Sequence, residues 1–485
     1  MKQCKIIIKD EVNVKLEGLE LSERKTLMKM FEYEDPTARY RPAYKLGRWN
    51  GKISYFSLGG SSYINLLPEM IPVLEKANYD IDLVDLRDYQ NTYKLAQVST
   101  STFSNHTWPK GHPKQNQPIE LRDYQVEIIN NFLSNPQSVQ EVATGAGKTI
   151  TTAALSYSVQ DYGRSIVVVP NKSLVTQTEE DYRNVGLDVG VYFGDRKEYG
   201  HTHTICTWQS LNNLLKNTKA GSADISIVEF IENVVCLIID EVHMAKADVL
   251  KTLLTSVFAK TPIRWGLTGT IPKAKHESQS IFVSIGPLIG KLSASELQEK
   301  GVLAQCHVNI VQLKDDVEFT NYQSELKHLL EDSKRLDTMA NLINTIKDSG
   351  NTLVLVDRVN AGKELIDRLH NAVFVSGETK LTERKEEYDE VATSNDKIIV
   401  ATYGVASVGI NIPRIFNLVL IEPGKSFVRV IQSIGRGIRK AEDKDFVQIW
   451  DITSNCKFAK RHLTQRKSFY NEANYPFDME KLTYK

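Results

Sequence analysis

Apolar residues at Ile6 and Ile8, then at Val12, Val14 and Leu16, fall at every second position. A period of two belongs to strands with one buried face, and Asp10-Glu11 between the two runs predicts a hairpin. Ser22 stands where a cap would start a helix carrying Leu27, Met28 and Phe31 on one face. A third extended stretch is predicted around 52–58, which makes 1–97 a small α+β domain. Residues 98–118 hold three prolines, many Ser, Thr and Asn, and no acid. That composition suits a linker, or an ordered loop over the next domain. From 119 the rhythm changes. SIVVVP (165–170), VVCLIID (234–240), TLVLVD (352–357), KIIVAT (397–402) and NLVLIE (417–422) alternate with helical patterns. Short β-branched runs of this kind predict strands buried on both faces of parallel sheets. They fall in two clusters that part near residue 305, so two α/β lobes are expected, 119–304 and 305–456, followed by a basic tail over 457–485.

Composition narrows the class. The 485 residues hold 41% hydrophobic and 25% charged side chains, which is globular. Sixty basic residues balance sixty acidic ones, which excludes a coat protein that wraps phosphates by charge excess. The five cysteines, Cys4, Cys206, Cys236, Cys306 and Cys456, include no C-x-x-C pair. A disulfide framework or structural zinc is not expected, and a reducing compartment is. The N-terminus has charges inside its apolar run, unlike a signal peptide. No apolar run nears the roughly 18 residues that span a bilayer. The expectation is a soluble cytoplasmic protein with no membrane partner.

Candidate chemistry begins at VATGAGKT (142–149). Gly145 and Gly147 let the backbone turn and aim N–H groups of Thr144, Gly145, Ala146 and Gly147 at phosphate oxygens. Lys148 reaches the β and γ phosphates, and the Thr149 hydroxyl suits Mg²⁺. The following helix adds the positive end of its dipole. LIIDEVH (237–243) delivers Asp240 and Glu241 from a strand end, where open α/β sheets bind ligands. Asp240 is expected to hold Mg²⁺ through water, and Glu241 to orient or deprotonate an attacking water. In VIQSIGRGIRK (430–440), Arg436 and Arg439 lie three apart, on one face of a helix, and suit neutralisation of a γ-phosphate. His243 follows the acidic pair and is placed to couple the nucleotide site to later residues. His201 and His203 have no third ligand in view, so a metal there is not expected.

These segments together resemble superfamily 2 helicases. LRDYQ (121–125) resembles the adenine-reading motif, which implies Gln125 on the base with Arg122 nearby. VVVPNKSLVTQ (167–177), TICTWQSL (204–211), GLTGT (266–270), TLVLVDRVNAGKEL (352–365), ATYGVASVGINIP (401–413) and QSIGRGIRK (432–440) match successive motifs in order over about 119–455. The last implies Gln432 at the nucleotide beside the two arginines. Two positions depart from the pattern. Val142 replaces a small residue, and Asn411 stands where an Asp is usual, which puts a ribose contact there in doubt. KLSASELQEKGVLAQ (291–305) resembles the lobe-joining segment of XPB-like and UvsW-like DNA enzymes. RYRPAYKLGRWNGKISYF (39–56) resembles the accessory domain of UvsW-type phage recombination and fork-rescue helicases.

The resemblance implies two RecA-like lobes that use ATP and Mg²⁺, with nucleic acid held mostly through its phosphates. Lys172, Ser173, Thr207 and Thr402 are the implied contacts. Arg39, Arg41, Lys45, Arg48 and Trp49 form a separate candidate, because basic side chains grip phosphates while aromatics stack on bases. A solvated loop anchored by its aromatics is the other reading of that stretch. Three functions stand open: a DNA helicase or branch-migrating translocase on forks and recombination intermediates, an RNA helicase or RNA-dependent ATPase, and a binding module with an ATP-gated grip. Glu241 and Arg436 argue against the third, since turnover needs both. The first implies DNA replication, recombination and repair, a phage origin in a host cytoplasm, branched or single-stranded DNA as partner, and a single-stranded-DNA-binding protein as a further one.

Overall fold

The structure, a computed structural model, describes residues 2–88, 93–110, 112, 114–246, 248–315, 317–409, 412 and 414–484. The chain divides into two compact units, Met1–Glu141 with Gly147–Lys291, and Val142–Ala146 with Leu292–Lys485. The break after Lys291 replaces the one expected near 305, and the first 97 residues do not separate from the remainder of the first unit.

In the first unit the predicted hairpin forms because Asp10 builds its turn. Its Oδ1 accepts the Val12 and Asn13 N–H groups at 2.9 and 2.7 Å. Lys2–Ile8 and Asn13–Glu17 then pair antiparallel, with Ile8 opposite Val14. Tyr79–Asp85 adds in parallel and Ser61–Tyr63 completes a four-stranded sheet. Ile6, Val14, Leu16, Leu27, Phe31 and Phe56 pack on its buried side. Ser22 does not cap the helix. The helix is Leu21–Met30, its cap is the extended Glu20, and the Ser22 hydroxyl bonds the neighbouring Glu23 carboxylate at 2.6 Å. The third extended stretch reaches only Lys52–Ser54, and it pairs with Glu32–Glu34 in a separate ribbon.

Polar side chains clamp this module to the rest of the first unit. Asn13 Nδ2 donates to Thr255 O at 2.9 Å, Tyr55 Oη to His276 O at 2.7 Å, and Asn65 Nδ2 to Phe282 O at 2.9 Å. The buried Glu11 accepts from Gln137 Nε2 at 2.9 Å and pairs with Arg87 at 3.2 Å. Val283 belongs to the module's own apolar cluster. The described residues of 98–118 pack against the first unit where a linker was one expectation: Phe103 is buried against Tyr157, and Asn130 holds both backbone groups of Val98.

The main sheet of the first unit orders Arg196–Lys197, Val189–Phe193, His203–Thr207, Arg164–Val169, Val234–Asp240, Ile263–Thr268, Gln137–Val142 and Leu288–Leu292. Its central strands run parallel and are buried on both faces, as their β-branched runs predict. The second unit holds a seven-stranded parallel sheet ordered Ala372–Val375, Ile398–Thr402, Thr352–Val356, Asn417–Ile421, Phe446–Ser454, Gln305–Leu313 and Phe477–Leu482. The expected tail is part of this sheet. Helix Lys457–Glu472 buries Leu463, Arg466 and Tyr470, and Phe477–Leu482 is the parallel edge strand beside Gln305–Leu313. The fold is thus α/β, two parallel-sheet lobes with a small α+β module at the N-terminus. All five cysteines are buried and free. No helix among the described residues is long and apolar enough to cross a membrane.

Candidate nucleotide and nucleic-acid sites

Strand Gln137–Val142 ends in a glycine turn that opens helix Lys148–Val159. Gly145 and Gly147 have φ of +92° and +83°, a region closed to most side chains. A methyl added at Gly147 would come within 2.5 Å of Gln125 Nε2, so the carboxamide packs directly on the turn. Gln125 is itself buried, and its Oε1 accepts the Arg122 N–H at 2.9 Å. The Arg122 guanidinium donates to Tyr124 Oη at 2.9 Å. Gly147→Ala is expected to add about 1–2 kcal/mol of backbone strain and to displace Gln125. ATPase assays should then show a raised KM for ATP, and thermal melting a lower midpoint.

Lys148 Nζ lies 3.1 Å from Glu241 Oε1, with both side chains nearly buried. Glu241 follows strand Val234–Asp240 with φ +55°, a strained position for a side-chain-bearing residue. Its N–H is fixed by Asp240 Oδ1 at 2.9 Å. Glu241 Oε2 also meets His243 Nδ1 at 3.3 Å and Thr268 Oγ1 at 3.3 Å, and His243 Nδ1 lies 2.9 Å from Thr268 Oγ1. Thr268 Oγ1 further reaches Thr270 O at 3.0 Å. A hydroxyl carries one proton, so Glu241 Oε2 and Thr270 O are alternative acceptors for it, while its lone pairs stay open to His243. Glu241 and His243 therefore both contact the Thr268 hydroxyl within the GLTGT segment. That is a physical route from the acidic pair to the later motif.

Burial, with Glu241 next to it, pushes the Asp240 carboxyl up to about 6. A buried carboxyl in that position gains from a cation beside it. The Thr149 hydroxyl donates to the Asp181 carboxylate, and burial pushes Asp181 up to about 6. Spending its proton there leaves the Thr149 lone pairs as acceptors. A hydroxyl and carboxylates of this kind suit Mg²⁺, which takes oxygen ligands, keeps several waters and needs few protein donors. The buried Lys148 ammonium, ion-paired but without a hydrogen bond of its own, and the N-terminus of helix Lys148–Val159 suit phosphate. Asp181 carries no spacing signal in the sequence, since it is one acid among several charges in helix Lys172–Asn184.

In the second unit, helix Phe427–Gly437 carries the buried Gln432 and Arg436. Arg439 does not share its face. The helix stops at Gly437, and Arg439 lies beyond it in a bridge to Leu303. Just past the helix end the buried Lys444 donates its Nζ to Gly437 O at 2.6 Å and to Arg439 O at 2.8 Å, which satisfies carbonyls the helix leaves open. Burial and the neighbouring Arg436 lower Arg439 to about 9, and burial lowers Lys444 to about 7. The turn residues Thr144, Gly145 and Ala146 group with this unit.

The implied nucleic-acid contacts differ in accessibility. Lys172 is exposed, while Ser173 and Thr402 are half-buried. Thr207 is buried, and its hydroxyl accepts from Ser210 N at 3.3 Å as the cap of helix Trp208–Ala220, in place of the surface position a strand contact requires. Asn411 lies outside the described residues. Near the N-terminus, Arg39, Arg41, Lys45 and Arg48 are exposed. Asp35 pairs with Arg41 at 3.1 Å, and Trp49 is half-buried with its Nε1 donating to Lys52 O at 2.8 Å. The Arg41 guanidinium lies 5.4 Å from the Trp49 ring centre. Part of this basic stretch therefore serves its own loop.

Residues 118–273 match the family described as type III restriction enzyme, res subunit, and 334–441 match the helicase conserved C-terminal domain. With two such domains in this order, the chain belongs to the superfamily 2 helicases and is an ATP-dependent enzyme. It is 25% identical over 472 residues to the ATP-dependent DNA helicase uvsW of Enterobacteria phage T4, covering 93% of this chain and 90% of that protein. It is 27% identical over 293 residues to the DNA 3'-5' translocase XPB2 of Sulfurisphaera tokodaii, covering 59% of this chain and 60% of the relative. A restriction-modification enzyme, LlaBIII bound to DNA, shares the fold over 87% of this chain and 34% of its own, with a TM-score of 0.56 and 15% identity.

Proposed function

We propose that the protein is an ATP-dependent DNA helicase or translocase that works on branched DNA, forks and recombination intermediates, in replication, recombination and repair. The observation that carries this reading is similarity to the phage T4 DNA helicase over 93% of this chain and 90% of that protein. The same similarity supports a phage-encoded enzyme acting in a host cytoplasm. Lys148 and the backbone N–H groups of the glycine turn hold the β and γ phosphates, Thr149 and Asp240 hold Mg²⁺, and Gln125 with Arg122 takes the base. Bound Mg²⁺ supplies charge neutralisation at the phosphates. Glu241 orients and deprotonates the attacking water, and its hold on Thr268 passes that event to the neighbouring turn. Gln432, Arg436 and Arg439 supply positive charge from the second lobe. Lys172, Ser173 and Thr402 contact the strand backbone, while the exposed Arg39, Lys45 and Arg48 meet a DNA arm.

The test is ATP hydrolysis with a model fork, linear duplex, single-stranded DNA and structured RNA in parallel. Turnover should be highest with the fork. Preference for RNA would overturn the DNA assignment, and equal turnover with fork and linear duplex would remove the branched-substrate role.

A further inference from the structure

The basic stretch KFAKRHLTQRK (457–467) is not used by the nucleotide site, and the fold gives it definite surroundings. Helix Lys457–Glu472 lies over the edge of the seven-stranded sheet, and between them runs a cavity of about 640 Å³. Lys460, Thr464 and Lys467 line it from one face of the helix, spaced by four and three. The adjoining face, with Arg466 and Tyr470, is locked to Asp451. From the sheet come Lys314 and Lys481. Gln312 pairs in register with Lys481, and successive side chains alternate across the sheet, so Gln312, Lys314 and Lys481 share one side. The acids of the edge strand, Asp478 and Glu480, fall at the alternate positions, and Asp478 pairs with His307 at 3.0 Å.

Four lysines and no carboxylate therefore line the cavity, in a chain whose overall charge is balanced. Lys467 Nζ is 3.0 Å from the thioether of Met479, a weak acceptor that leaves most of the ammonium's hydrogen-bonding capacity to a ligand. Among the described residues Lys460, Lys467 and Lys481 make no ion pair. Like charges brought together repel, and the arrangement gains when an anion joins it. Amide and hydroxyl groups of Gln312, Thr464 and Thr483 add polar contacts without a shaped apolar pocket. That lining suits a repeating phosphodiester, which compact ammonium groups bind as point charges.

We propose that this groove is a second DNA-backbone site, on the C-terminal face of the second lobe and outside the helicase motifs, where a DNA arm is held through its phosphates. The inference rests on the DNA reading above.

The experiment measures fork-DNA affinity by fluorescence anisotropy across a salt series. The wild type is compared with Lys460→Gln/Lys467→Gln/Lys481→Gln and with the arginine triple at the same positions. Each lost phosphate contact flattens the slope of log K against log[salt] by about 0.7–0.9. The glutamine triple should flatten it by about 2 and weaken binding roughly 100-fold at ~0.1 M salt, one decade below the ~1 M at which the electrostatic contribution vanishes, with ATP turnover in the absence of DNA unchanged. The arginine triple should keep the wild-type slope. A single exposed change, Lys481→Glu, should weaken fork binding in the same direction and serves if the triple misfolds. A glutamine triple that binds with the wild-type slope overturns the groove alone. A wild type that does not bind the fork overturns the functional reading first and the occupant of the groove with it.

Discussion

Lys148→Ala lowers ATP turnover by at least about 10²–10³-fold, the loss typical of removing one preorganised donor from a site where transition-state charge develops. The side chain leaves the first turn of helix Lys148–Val159, so it works where the helix dipole already favours negative charge. Its 3.1 Å pair with Glu241 means the substitution acts twice. The phosphates lose an ammonium, and Glu241 loses the cation that offsets its neighbour Asp240. Without that cation the buried Asp240 carboxyl moves further up, since Lys148 is one of the charges that lower it. Glu241→Gln separates the two effects. It keeps Lys148 and should keep nucleotide binding while turnover falls by a similar factor. Because both residues serve one step, the double variant should be little worse than either single one. Steady-state ATPase rates with titration of a fluorescent ATP analogue provide the check. A Lys148→Ala enzyme that retains a tenth of wild-type turnover would sink the assignment, provided its thermal midpoint matches the parent.

The parts of this architecture that sequence reveals are those where one physical demand acts alone. Runs such as Val234–Asp240 and Asn417–Ile421 are buried on both faces, so they read as unbroken apolar stretches and are identifiable as parallel strands. Phe477–Leu482 is an edge strand of mixed composition, FDMEKL, with only one side covered, and it reads as tail. The glycine turn and the acidic pair announce themselves because phosphate and metal chemistry restricts residue type at fixed spacing. The partners that hold those groups do not. Asp181 reaches Thr149 from a different helix, and Thr268 reaches Glu241 from the next strand. Such pairings exist only once the sheet order is set. Arg439 departs from its expected place for a similar reason: its spacing from Arg436 fits a helix, but the helix ends at Gly437 and Lys444, five residues on, holds the carbonyls of Gly437 and Arg439.

Arg466→Ala should cost about 3–5 kcal/mol, the usual penalty for removing one member of a buried ion pair. The guanidinium is fully buried and grips Asp451 with Nε and Nη2 at 2.8 and 2.9 Å, while Nη1 donates to Gly424 O at 2.8 Å. Tyr470 Oη adds a 2.7 Å bond to Asp451 Oδ2. Alanine leaves a fully buried carboxylate with a single phenol donor, in the strand Phe446–Ser454 at the heart of the second sheet. For a unit of this size the melting temperature should fall by roughly 10 °C. Helix Lys457–Glu472 should then become the first site of proteolysis, since among the described residues it would keep only the Glu325 carboxylate at its N-terminus as a buried charged anchor. The cost belongs to the unpaired charge and not to the loss of attraction. Arg466→Met/Asp451→Asn, which removes both charges and keeps much of the volume, should therefore recover most of the stability. Calorimetry on the three proteins decides the matter. If Arg466→Ala melts within about 2 °C of the parent, or the double variant is as unstable as the single one, the pair does not secure the helix. The C-terminal segment would then owe its place to Leu463 and Tyr470 packing, to the Glu325 carboxylate at the start of the helix and to the edge strand Phe477–Leu482.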